Sequence, residues 1–503
     1  MKKHFFGNAL LALLTLAAGC GGGGGKGPET PTGPSKPKVD ETPKVSVEAG
    51  KKFDNALDAF NAHDKANDWN EAACSEVAKK FEVAHDEEKT RQFSEATFNV
   101  GLAYQRCGTD DKAKSYFEKA LKEDGKAHSA KAQLALYQYK ADQNEDAAIS
   151  TLQQAVLDAQ FQNVPALVNL AMFQMQRDGA QPGDGCKDDM ECAKKNLQRA
   201  LAIDDAYMPA FNQLSLYYFQ QAKKRAGSSK VSAKGARGRS IVTHAAMGKR
   251  ADVQQLELAA LVASQAIKKN ASYAPIHNTA GLIQNELGQV NGAVAAFAAA
   301  AKLDPKFFEA QMNYAAVNLS FRGFKQAEDA YRKALDMRPN DYDAHLGLAL
   351  ALRGQIDDAN YDKQVAAVQS ELDTCKKVAP DRPEVYYNEG ILTQEYKAKA
   401  GGGKEKTIAA LEQAKVILQQ FIDKAQDKAE YAGAVKRSKE RIQDATDTVA
   451  FLQLPGEEPK AAPPPATPAP ADAKGATPPP AGGAPATPAP AAPVAPAAPA
   501  DKK

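Results

Sequence analysis

The chain has 503 residues with 64 lysines and arginines against 62 aspartates and glutamates, a formal charge of +2 that gives no global basic field for nucleic acid. Aromatic residues make up only 7%, with one tryptophan, Trp69, which does not resemble a β-rich protein. Length alone would suggest about three domains, but both ends are low in complexity, leaving about 400 residues to fold.

The first element is a short apolar stretch, Phe5 to Leu16, behind the basic pair Lys2 and Lys3. It is too short to span a bilayer core of about 30 Å, so residues 1–19 read as a cleaved export signal. Small residues follow (Ala17, Ala18, Gly19), then Cys20 and the glycines Gly21 to Gly25. Glycines offer neither a packed shell for a buried thiol nor a fixed backbone for a disulfide. Cys20 is therefore read as a covalent handle, and residues 20–46 as its flexible linker. The order of signal, small residues and cysteine resembles the lipobox of bacterial lipoproteins, although Ala17 stands where that family prefers leucine. The resemblance implies an acylated Cys20 and a lipid-anchored, periplasm-facing protein. Gly21, in place of an aspartate, implies the outer membrane.

From residue 47 the chain repeats. Ala327, Tyr331, Ala334 and Pro339 are matched 34 residues earlier by Ala293, Phe297, Ala300 and Pro305, and Gly101, Tyr104, Ala113, Phe117 and Ala120 follow the same scheme. Small residues let paired helices approach closely, and an aromatic fills the gap between them. One hairpin cannot bury its apolar face, so neighbours must stack on it. This pattern resembles the tetratricopeptide repeat. The expected fold is all-α, a tetratricopeptide-repeat superhelical solenoid over 47–454. Looser pairs are expected near 52–86, 129–162, 164–207, 208–272, 342–382 and 383–425, giving about nine units and a polar-faced capping helix over Ala429–Gln453. Insertions are expected within three hairpins: around Cys186, near 223–250, and at QIDDANYD before the helix containing Cys375. Residues 455–503 hold 16 of the 29 prolines and cannot offset their ordering entropy, so a disordered Pro/Ala-rich tail is expected.

Five cysteines remain after Cys20. Cys186 and Cys192 share the loop CKDDMEC with no histidine nearby, which favours a loop disulfide over a metal site. In the repeat architecture, Cys74 falls near the start of a second helix and Cys107 near the end of the next first helix, within reach of a cross-repeat disulfide. Cys375 takes the slot of Ala300 and Ala334 and is expected to be buried and inert.

Lys223 to Arg250 contains nine lysines and arginines and no acid. Either an anionic partner or plain solvation accounts for such a run, and the absence of interleaved aromatics argues against single-stranded nucleic acid. His63, His85, His128, His244, His277 and His345 are scattered, with no metal-spaced pair. No catalytic constellation emerges, so neither enzyme activity, cofactor, metal nor small-molecule substrate is expected.

In the family that the repeats resemble, the first helix of each hairpin lines the concave face. One slot after the crossing glycine come Leu102, Tyr137, Met172, Leu216, Leu282, Ala316, Leu350 and Ile391, all apolar. Four residues earlier stand Phe98, Val168, Met312, Leu346 and Tyr387, and Met175 and Phe219 add to the row. The lysines and asparagines that clamp a partner's C-terminal carboxylate in that family are missing from these slots. The row suits an amphipathic helix or an extended apolar peptide, the alternative being that these side chains pack on one another. The layout resembles the tetratricopeptide lipoproteins of gliding-motility complexes, implying an adaptor in an envelope-spanning machine. A pilotin-like assembly chaperone for a type IV pilus or secretion-system secretin is the second reading.

Overall fold

The computed structural model describes residues 45–66, 68–180, 185–231, 248–399, 402–425 and 428–454. Cys20, the linker before residue 45, the heart of the basic run (232–247) and the tail from residue 455 lie outside the described residues. All regular structure within them is helical. The chain divides into two units, Met1–Leu452 and Gln453–Lys503, and the helices below belong to the first, save the end of the last one.

Helices come in consecutive antiparallel pairs. The first three pairs are α1 (Val47–Ala66) with α2 (Glu71–Glu87), α3 (Ser94–Arg106) with α4 (Asp110–Glu123), and α5 (His128–Asp142) with α6 (Glu145–Asp158). Next come α7 (Val164–Arg177) with α8 (Asp189–Ile203), α9 (Met208–Val231) with α10 (Gly248–Lys269), and α11 (Ala274–Glu286) with α12 (Val290–Leu303). The series closes with α13 (Phe308–Ser320) and α14 (Phe324–Met337), α15 (Tyr342–Arg353) and α16 (Tyr361–Val378), and α17 (Glu384–Glu395) and α18 (Lys404–Ala425). A single helix, α19 (Ala432–Gln453), follows. The fold is thus the all-α solenoid that the repeat pattern implies.

Local chemistry explains the boundaries. Asn70, Asn144, Asn163, Asp188 and Asp341 cap the starts of α2, α6, α7, α8 and α15, each accepting a hydrogen bond from a backbone N–H in the first turn. Between repeats one device recurs. Asp124, Asn270 and Asp304 accept the N–H two residues on, at Lys126, Ser272 and Lys306, and Asp204 does the same with Ala206. Such short turns set the next helix back on the stack.

Packing follows the small-residue logic. Ala113, Phe117 and Ala120 are buried, as are Ala293, Phe297 and Ala300, and Ala327, Tyr331 and Ala334. Cys375 is fully buried in the equivalent slot, and burial pushes its thiol up to about 12. Each second helix also meets the first helix of the next repeat, and first helices touch one another: α5 meets α7, α7 meets α9, α9 meets α11, α11 meets α13 and α13 meets α15. The opening is tied with extra strength. The Arg106 guanidinium donates to both Asp64 carboxylate oxygens, at 2.8 and 3.0 Å, and lies 5.1 Å over the Phe60 ring. Beside it Cys74 and Cys107 form a disulfide between α2 and the end of α3.

Candidate partner-binding site

The apolar residues expected to form one row fall into several separate clusters. Phe98, Leu102 and Tyr137 join the core around Phe117, whose ring centroid lies 5.4 Å from Phe98 and 6.0 Å from Tyr137. Met172, Met175 and Leu216 join the next core, with Val168 and Phe173. Phe219 packs with Tyr218 beside Ala259 and Ile276, under the Lys223 ammonium at 5.4 Å. Met312 packs in the core of α13 to α17, and Tyr387 stands 5.1 Å from the Phe421 ring.

Their exposure differs, and this decides what each can offer. Leu102, Met172 and Met175 retain only 5, 8 and 6% of their surface, and Val168 and Ile391 are buried as well. α7 is flanked by both α5 and α9, so little of its methionine surface is left for another molecule. Phe98, Tyr137, Leu216, Phe219, Leu282, Met312, Leu346, Leu350 and Tyr387 are half-buried, and Ala316 is exposed. Tyr137 is also held by its hydroxyl, which donates to Asp110 at 3.2 Å and accepts from Gln105 at 3.3 Å, and burial raises its phenol well above the usual range.

A second row is polar. Three residues before the apolar slot stand Asn99, Asn169, Gln213, Thr279, Asn313 and Asn388. Several bridge adjacent first helices. The Thr279 hydroxyl donates to Asn212 at 2.6 Å, the Asn313 amide donates to Asn278 at 2.8 Å, and Arg353 donates to Asn388 at 3.2 Å. Asn169, Asn313 and Asn388 are half-buried, and the Asn388 amide also donates to the Glu384 carbonyl at 2.9 Å. The apolar slots alone do not disclose this row. The signal was present as an amide or hydroxyl recurring at a fixed offset from them.

The cysteines of the insertion between α7 and α8, Cys186 and Cys192, are joined in a disulfide. Within the described residues no group of three His, Cys, Asp or Glu side chains is placed to hold a metal ion, and no helix is long and apolar enough to cross a membrane.

Residues 94–126, spanning α3 and α4, match the tetratricopeptide repeat family. A search of curated proteins finds no match. Among solved structures, a thermophilic tetratricopeptide-repeat protein of Thermus thermophilus is 24% identical, covering 45% of this chain and all of that one, with a TM-score of 0.35. YrrB, described as a tetratricopeptide-repeat protein with an unusual peptide-binding site, is 17% identical over 48% of this chain and 97% of its own, with a TM-score of 0.31. PilF of Pseudomonas aeruginosa is 15% identical over 53% of this chain and 97% of its own, with a TM-score of 0.33. The matched repeat, continued by the helix hairpins stacked on either side of it, gives this chain the fold of a tetratricopeptide-repeat solenoid.

Proposed function

We propose that the protein is a lipid-anchored scaffold of the bacterial cell envelope that holds a protein partner along its first helices. Proteins built from this repeat generally act through protein–protein contacts. The observation that carries the reading is the pairing of half-buried apolar side chains with amides three residues away from the apolar slot on the same helices, as at Met312 and Asn313 on α13. A bound helix satisfies its own backbone and needs only the apolar surface, whereas an extended peptide brings unpaired N–H and C=O groups that amides can meet. That combination favours an extended apolar segment over an amphipathic helix. The signal-like start and Cys20 support the anchor, and the layout fits an adaptor in an envelope-spanning machine such as one for gliding motility.

Peptides selected from a random dodecamer library on the immobilised wild-type chain test the surface. Met312→Glu combined with Leu350→Glu is expected to weaken selected peptides by about a hundredfold or more, because each lost apolar contact is worth about 1.5–3 kcal/mol when fully buried. A double variant with an unchanged helical spectrum and full affinity would place binding elsewhere. For the anchor, Cys20→Ala should move the protein from the membrane pellet to the soluble fraction after a salt wash. Persistence in the pellet removes Cys20 from that role.

A further inference from the structure

The hairpin insertion between α7 and α8 builds a surface unrelated to the apolar row. Its base is rigid. Asp189 is fully buried, and both its carboxylate oxygens accept from the Arg177 guanidinium at 2.7 Å, while the Gly179 N–H donates to the same group at 2.7 Å. The Asp189 carboxylate holds the Arg177 guanidinium above its usual range. The Cys186–Cys192 disulfide then closes the loop and fixes Lys187 between its two ends.

Facing this loop, the middle of α9 completes an open cleft of about 600 Å³. Lys187, Lys194 and Lys224 rim it, Tyr217 and Gln221 form its wall on α9, and among the described residues Asp188 and Glu191 are the acids that line it. Both acids are engaged by the loop itself. Asp188 accepts the Glu191 N–H at 2.7 Å as the cap of α8, and Glu191 accepts the Lys187 N–H at 2.7 Å and pairs with Lys195 at 3.2 Å. Those bonds hold the Glu191 carboxyl below its ordinary value. Lys224 reaches Asp178 at 2.8 Å. Lys194 leans over the Tyr218 ring at 5.9 Å, and among the described residues neither it nor Lys187 forms an ion pair. Beyond Lys224 the sequence stays basic, with no acid before Asp252.

We propose that this cleft is a second docking site, which takes an acidic peptide segment of a protein partner. Charge complementarity selects the sign: ammonium groups rim a cleft whose lining carboxylates, Asp188 and Glu191, already accept backbone N–H groups. The walled cleft, with an aromatic and an amide on one side, suits individual carboxylate side chains on a chain better than a flat sheet of lipid headgroups. Neither Met312 nor Leu350 lines it, so the two sites are separable by mutation.

The test uses the full chain and a fluorescein-labelled peptide of alternating glutamate and alanine, with a lysine–alanine peptide of equal length as control. The acidic peptide should bind at low salt, the basic one should not, and affinity should fall as ionic strength rises. Lys187→Glu with Lys194→Glu should weaken binding by about tenfold or more, and Lys187→Glu alone, at a loop position that leaves folding intact, by a smaller factor in the same direction. Met312→Glu with Leu350→Glu should leave it unchanged. Equal binding of both peptides, or of wild type and the charge-reversed variants, overturns the proposal. So does binding to phosphatidylglycerol vesicles without binding to the acidic peptide, which would assign the cleft to a membrane surface.

Discussion

Gly281 shows how narrowly the stack is built at the scale of one residue. A Cβ added there would stand 2.6 Å from two ring carbons of Phe297, which is itself 3% exposed and has nowhere to go. Gly101 stands in the same relation to Phe117, also at 2.6 Å. The aromatic of the second helix rests directly on the backbone of the first, and only a residue without a side chain allows that approach. Gly50, in α1, has no atom within 4 Å of the same hypothetical position. One chemical change should therefore have opposite signs at two sites. Gly281→Ala is expected to destabilise by about 1–3 kcal/mol through overpacking. Gly50→Ala is expected to stabilise by about 0.5–1 kcal/mol, because alanine loses less backbone freedom in forming a helix. Thermal melts of the two variants decide this. A Gly281→Ala protein as stable as wild type would mean that the hairpin crossing can open without cost.

At the scale of the helix, what the sequence disclosed and what it withheld divide along physical lines. The pairing of helices was legible because alanine, glycine and a single aromatic at fixed spacing are what a close crossing demands, as at Ala293, Phe297 and Ala300. The charged outer face of α19 was legible as well. The fate of the first-helix row was not. Leu102 and Met172 occupy the same repeat slot as Leu350, yet the first two are buried while Leu350 is half-buried. Slot position fixes the direction of a side chain relative to its own hairpin, whereas burial depends on how closely the neighbouring first helices stand. Single-sequence periodicity carries no information on that distance. Long-range polar ties were hidden for the same reason: Arg106 with Asp64 spans 42 residues, and Thr279 with Asn212 spans 67. The turn-forming Asp124, Asp204, Asn270 and Asp304 were open to reading, since each sits at the same place in its repeat.

For the whole molecule the decisive matter is how a stack that could continue comes to an end. Every repeat leaves an apolar face for the next, so the last one needs a cover that presents charge outward. α19 has that construction. Val435, Ser438, Ile442, Ala445, Val449 and Leu452 recur at alternating intervals of three and four, and Lys436, Lys439, Glu440, Asp444 and Asp447 are exposed on the other side. The inner stripe packs near Leu411, Phe421 and Ile422 of α18. Polar bonds fix the register: Tyr431 donates to Glu384 at 2.8 Å, and Arg441 pairs with Glu395 at 2.6 Å. Deleting everything from Lys428 removes this cover, and each large side chain so exposed forfeits up to about 1.5–3 kcal/mol of burial. The truncated chain is expected to melt at a lower temperature and to self-associate through the bared face in size-exclusion chromatography. Deleting only from Pro455 is expected to leave the melting temperature of the solenoid unchanged, because the covering helix stays in place. If the shorter deletion lowers it as much as the longer one, the seal on the last repeat lies in the proline-rich tail and α19 is not the cap.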